Sequence, residues 1–402
     1  MKNYALFCLI LSFISLNADE KELFSQEKQN LLLHEQNRYE SEYEKLKYNW
    51  ISPLNLSISY GYDKMYTGDY GTNTDVFASF SQDIFRSGGI TYQINYADAQ
   101  KTADEKAFAK EIASINEELF SALLNYKKTL YQKEQSELIL KNKEIEIFIK
   151  RQLYDVGKAD ITELNNALME QSSELKNLVS YKYMLAHLRE EVSKLSDIDP
   201  VTFLLPTFTL IQMDTYLQNN LNLSYLRSQT KSYEYLYHVT KSSYLPSITL
   251  RTSAGYQEYD SQKYANKNNG TYYGAGITLN IPFAYNASAA VQESKATYLK
   301  QAAEEADIQR ITKASYAQSL ELIESYRSYT EITLKNLSLY DALIEAIEAG
   351  VNAGAKTGYD LQTIKNTKAI EKLNIKINEI EIQIELAKLH FALKTPRKEN
   401  GQ

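Results

Sequence analysis

From Ala97 to Val156 the sequence contains neither proline nor glycine. Apolar side chains recur along it every three or four residues, at Phe108, Ile112, Ile115, Leu119, Leu123, Tyr126 and Leu130. Such a run predicts one amphipathic helix suited to coiled-coil packing. At ~1.5 Å per residue it would extend ~90 Å, far more than a globular core requires, so neighbouring segments must pack along a rod. The run breaks at Gly157, and a shorter helix is expected from Ile161 to about Leu195. A charged, periodic stretch from Glu20 to Asn49 predicts another. Laid end to end, these two short helices match the long one in length. The pattern then returns, with helical segments over Asp214–Tyr244, Ala287 to about Asn352, and Asp360 to about Leu393.

Two stretches interrupt the helical text. Leu54, Leu56, Ile58, Tyr60 and Tyr62 alternate with small polar residues, and Ile248, Leu250, Ala254 and Tyr256 do the same in a later copy. Period-two alternation predicts two-faced strands. Each is followed across a polar loop by a return strand, Val76–Ile84 in the first case and Tyr273–Ile281 in the second. The alternation alone is compatible with a soluble β-layer or with a strand of the length and pattern found in outer-membrane barrels.

The two halves repeat. Pro53 with Pro246, and Gly157 with Gly354, are separated by about 195 residues, a period that marks a duplicated domain. The expected organisation is a signal peptide over 1–18, a first repeat over 19–198, a linker over 199–213, a second repeat over 214–394 and a tail over 395–402. Within the repeats we expect hairpins at 51–86 and 245–285 and helical turns at 155–163 and 352–360.

Composition narrows the function. With 44 basic against 51 acidic side chains and no basic block, nucleic acid is not an expected partner. An apolar run from Tyr4 to Leu16 preceded by Lys2 reads as a secretory leader, being too short for the ~20 residues of a spanning helix. It contains Cys8, the chain's one cysteine. His34, His187, His238 and His390 are scattered without ligand spacing, and no nucleophile is grouped with a base. No metal, cofactor or enzymatic activity is expected.

The signal peptide, the duplicated plan, the segment Asn219-Asn220-Leu221 through Tyr244-Leu245-Pro246, the strand exit Pro282-Phe283 and the turns Val156-Gly157 and Ala353-Gly354 together resemble TolC family outer-membrane channels. The resemblance covers essentially the whole mature chain. It implies a mainly α fold with membrane β: a coiled-coil tunnel of long helices, plus four strands per chain contributing to a trimeric twelve-stranded barrel. It also implies a homotrimer in the outer membrane of a Gram-negative bacterium, with a long periplasmic portion. Such a duct would dock on a periplasmic adaptor (membrane fusion) protein and an inner-membrane pump or ABC exporter, for efflux or type I secretion. The competing reading is a secreted coiled-coil structural or adhesive protein.

On that resemblance, Leu56, Ile58, Leu250 and Ile277 should face lipid, while Asn55, Ser57, Thr249, Arg251 and Asn280 should face the water of the lumen. Gly157 and Gly354 should mark the periplasmic tip. The family's Thr-Asp pair after the first turn is matched by Thr162-Glu163. Its arginine after the second glycine, which bonds to that pair, is Lys356 here, a charge without the bidentate geometry of a guanidinium. An expected tyrosine is Val351. Asp360 would line the entrance as an acidic ring or cap its helix, and the second acid of some relatives is replaced by Thr363. Set apart from the resemblance, Glu163 reads as an ordinary solvated acid.

Overall fold

The computed structural model describes residues 23–64, 70–261 and 267–393; the expected leader and tail lie outside them. The element order is α1 (Gln26–Tyr48), β1 (Asn55–Lys64), β2 (Tyr70–Phe85), α2 (Gly89–Asp155), α3 (Ile161–Ser193), α4 (Met213–Asn219), α5 (Leu221–Ser242), β3 (Ser247–Ser261), β4 (Lys267–Asn280), α6 (Ala287–Asn352) and α7 (Gly358–Phe391). Among the described residues no helix is long and apolar enough to cross a membrane.

The chain forms two compact units, one over residues up to Leu33 with Ala109–Leu221 and Gln309 onward, the other over His34–Phe108 with Asn222–Ile308. The first is helical. Here α2 and α3 form an antiparallel hairpin, joined by the buried cluster Ile147, Leu164 and Ala167 and by bonds from Ser136 to Glu174 and from Lys143 to Glu170. A second hairpin joins α6 to α7, where Ser319 donates to Glu385 at 2.7 Å and Lys365 pairs with Glu348 at 2.7 Å. Between the hairpins α2 runs antiparallel to α7. Lys128 meets Glu381 at 3.1 Å, Gln135 donates to Asn374 at 2.6 Å, and Asn366 donates to Asn142 at 2.8 Å. These α2 positions step by seven, the repeat of a coiled-coil seam, but they are polar.

Burial along α2 is broadest between Ile112 and Tyr126, where Ile115, Leu119, Phe120, Leu123 and Leu124 are all buried. The segment after α3 helps cover it, because Phe203, Phe208 and Phe391 pack around Phe120. That segment is held by its backbone: the Phe208 N–H donates to Gln383 at 2.7 Å, and the Tyr316 hydroxyl donates to the Ile211 carbonyl at 2.5 Å.

The second unit carries the sheet, antiparallel throughout in the order β1-β2-β3-β4, with a bulge between Asp83 and Phe85. In the helices beside it, Tyr43 donates to Asp98 at 2.9 Å and Ser232 to Gln100 at 2.7 Å, tying α1 and α5 to the first turns of α2.

Two expectations are corrected. The long helix begins at Gly89 rather than near Ala97. Its glycine marks close packing instead of a break, since a Cβ there would lie 2.5 Å from Ser242 Oγ. One helix was expected over Asp214–Tyr244, whereas two are present. Asn220 leaves helical geometry at ψ 122° and bridges to Leu393, and the Leu221 N–H donates to the Ala392 carbonyl at 2.9 Å.

Candidate functional site

Strand pairing sorts the residues of the sheet by face, because directly opposed residues in a ladder point to the same side. Ile58 opposes Val76, which opposes Tyr256; Leu56 opposes Ala78, then Ala254 and Tyr273; Leu250 opposes Ile277. Leu56, Ile58, Leu250 and Ile277 therefore share one face. Leu56, Ile58 and Ile277 are 72, 72 and 71% exposed, so this face is apolar and bare; Leu250 is half-covered.

The opposite face carries Asn55, Ser57, Thr249, Arg251 and Asn280. Its polar groups bond to one another: Thr249 donates to Asp83 at 2.6 Å and Tyr272 to Asp75 at 3.1 Å. Glycines at 270 and 276 leave open space on this face, while Gly255 makes room for the Tyr272 ring, 2.8 Å from where a Cβ would stand. Where β1 enters, buried Gln82 ties the chain down, accepting from the Ser52 N–H at 2.9 Å and donating to the Trp50 carbonyl at 3.0 Å. Among the described residues, edge strands β1 and β4 each have one side without a strand partner.

The two helical turns are built alike. Gly157 and Gly354 have φ of +72° and +71°, the left-handed conformation that glycine adopts without a Cβ penalty. At the first, the Lys158 N–H donates to Leu153 at 2.8 Å and the Gly157 N–H to Tyr154 at 2.9 Å. At the second, Ala355 donates to Gly350 at 2.8 Å and Gly354 to Val351 at 3.0 Å. Both are Schellman closures, which satisfy carbonyls that a helix end leaves open.

The helices leaving the turns start differently. Asp160 caps α3, its carboxylate accepting from the Thr162 N–H at 3.0 Å and hydroxyl at 3.2 Å. Thr357 caps α7 in a reciprocal box: its Oγ1 accepts from the Asp360 N–H at 3.2 Å while Asp360 accepts from the Thr357 N–H at 2.8 Å. Asp360 is thus the third helical residue and not the cap, correcting the capping role expected for it. The bonds from Thr357, backbone first, hold its carboxyl below the ordinary aspartate range, and nearby Lys356 lowers it further. Thr162 has the same effect on Asp160.

Thr162, Glu163 and Lys356 are exposed, and among the described residues Lys356 forms no ion pair with Glu163. Its stem instead lies on Gly350, where a Cβ would meet Lys356 Cγ at 2.8 Å. Thr363 accepts through its carbonyl from the Thr367 hydroxyl at 2.9 Å. The Phe148 and Tyr359 rings, which no sequence pattern singled out, meet with centroids 5.1 Å apart.

A family model described as outer membrane efflux protein matches residues 32–196 and 213–393. The chain belongs to this family. No curated protein sequence matches it. Its fold is similar to that of the outer membrane protein VceC from Vibrio cholerae, with TM-score 0.73 at 12% identity over 93% of this chain and 94% of that one. It is also similar to the CmeC outer membrane channel of Campylobacter jejuni, at 0.69, 14%, 92% and 84%. For the open state of the Neisseria gonorrhoeae MtrE outer membrane channel the values are 0.65, 13%, 93% and 87%. This efflux protein therefore combines long helices with a four-stranded antiparallel sheet, and its function is that of an outer-membrane efflux duct. The reading as a secreted coiled-coil structural protein is not favoured.

Proposed function

We propose that three copies of this chain close into one twelve-stranded barrel, and that their helices continue as a tunnel through the periplasm to an adaptor and an inner-membrane pump. The observation that carries the reading is the sheet: one bare apolar face, one polar face and two open edges. In lipid an open edge leaves backbone groups unpaired at several kcal/mol each, so barrels must close. Four strands cannot close alone; β1 of one copy on β4 of the next would remove every edge. On this reading Leu56, Ile58, Leu250 and Ile277 meet lipid, and Ser57, Thr249, Arg251 and Asn280 line the lumen.

Two further surfaces support a closed ring. Along α3, Ile161, Leu175, Val179 and Tyr183 are exposed, and along α6 so are Tyr329, Ile332 and Leu339. Two different apolar stripes on one chain suit a head-to-tail contact that repeats until it closes. The turns at Gly157 and Gly354 would form the tip, with Asp360, repeated threefold, making an acidic entrance. The family's description favours efflux over protein secretion as the duct's use.

Outer-membrane fractionation tests the ring. The expected result is a trimer that dissociates only on heating; a soluble monomeric rod would overturn the reading. A photoreactive group at Lys158, beside the first turn, tests the partner. Capture of a periplasmic adaptor is expected, and efficient crosslinking elsewhere with no adaptor at Lys158 would reject tip docking.

A further inference from the structure

The contacts between α2 and α7 keep one register. Lys128–Glu381, Gln135–Asn374 and Asn142 with Asn366 and Thr367 follow one another at seven-residue steps, and nearer the turns Phe148 meets Tyr359. Separating the α2–α3 and α6–α7 hairpins at their turns opens this seam from that end. The polar rungs behind it resist slippage, since a shifted register would strand half-buried amides without partners. At the end itself the seam is aromatic.

Three observations bear on what holds that end. Lys356, where the family resemblance would place a charge latch, lies along Gly350 and makes no ion pair with Glu163 among the described residues. Tyr359 is the second residue of α7, within the span of the Thr357–Asp360 capping box, so its backbone is held in helical geometry at that end. Phe148 and Tyr359 are 41 and 45% exposed, so the rings can part without leaving a sealed cavity. A half-exposed ring pair is strong enough to bias two states and weak enough to be undone.

We propose that the closed tip of this channel is held by the Phe148–Tyr359 ring contact in place of a charge latch, and that opening begins there. The proposal rests on the duct reading above. It makes the resting tip insensitive to salt, because screening weakens exposed ion pairs and leaves ring contacts almost unchanged.

The test is the conductance of the purified full-length protein in planar lipid bilayers in KCl, read per inserted channel so that yield does not enter. Phe148→Ala and Tyr359→Ala should each raise the time-averaged conductance at least about fivefold, the equilibrium shift that one aromatic pair supplies, since each substitution removes one pair from every copy in the ring. The exchange Phe148→Tyr with Tyr359→Phe keeps two rings and should return wild-type conductance, which a general loosening of the helices would not. Lys356→Gln should not reproduce that rise, and wild-type conductance should follow bulk conductivity as KCl rises. Leak from Lys356→Gln with none from the ring variants would overturn the clasp and restore a charge latch. A conducting wild type whose ring variants leak no more would overturn the clasp alone. Channels that never conduct in any variant would overturn the duct reading and the clasp with it.

Discussion

Leu119 in α2 and Ile58 in β1 are both aliphatic and both belong to regular apolar patterns, yet the first is 0% exposed and the second 72%. Around Leu119 the chain supplies its own cover. Ile58 is left largely bare by the described residues, and the small polar residues lie on the other face. An apolar face left bare while a polar face bonds to itself is an arrangement for a non-aqueous surrounding. Around Leu119 the helical unit turns its apolar side chains inward; the sheet has that plan reversed.

Truncation at the covered site breaks the comparison most strongly. Leu119→Ala should cost about 2–5 kcal/mol in thermal or denaturant unfolding, since a filled core site cannot collapse around the lost volume. A lysine at the bare site, Ile58→Lys, should cost about 2–4 kcal/mol at the bilayer midplane and abolish trimer yield in the outer membrane. The paired controls sharpen the contrast. Ile58→Ala should leave assembly nearly intact, and full trimer yield from Ile58→Lys would show that the bare face does not meet lipid.

The strand faces were legible because alternation is a local signal. Leu56, Ile58, Leu250 and Ile277 fall on one face by parity along each strand, and the ladder needed only to bring the strands into register. The glycine turns were legible for the same reason. The helix break at Asn220 was not, because it depends on pairing with Leu393, which no local pattern announces. Nor were the rungs at Lys128, Gln135 and Asn142. Polar residues on a helix read as solvent-facing until their partners on α7 are known. The capping box could have been found: Thr357-Gly358-Tyr359-Asp360 has the spacing of an N-cap hydroxyl followed by an acid three residues on.

The two turns offer a finer comparison, since their backbones match and their caps differ. Gly157→Ala and Gly354→Ala should each cost about 1–2 kcal/mol, the left-handed penalty of a Cβ, and the two costs should agree. Neither glycine has a neighbour within 4 Å of the added carbon, so only backbone strain contributes. Unequal costs would mean that some further contact covers one turn in the assembled protein. Thr357→Ala is smaller, about 1 kcal/mol for a lost N-cap, and should appear as faster amide exchange at the start of α7 with no change at the start of α3.

Acid separates the two caps further. Both carboxyls are depressed in the folded chain by the bonds they accept, from Thr162 in one case and Thr357 in the other. A group with a lowered folded pKa adds stability that is fully present above its unfolded value and is lost as pH falls through the folded one. Both turns should therefore loosen below the ordinary carboxylate range. They should not loosen equally. At α3 the side-chain cap is the Asp160 carboxylate alone. At α7, protonation of Asp360 weakens one arm of the box and leaves the other, because Thr357 Oγ1 still accepts from the Asp360 N–H. Amide exchange, normalised to the intrinsic rate at each pH, should rise more at Ile161–Glu163 than at Tyr359–Leu361 as pH falls. Equal rises would place the strength of the second cap in its carboxylate, and Thr357→Ala should then add nothing in acid.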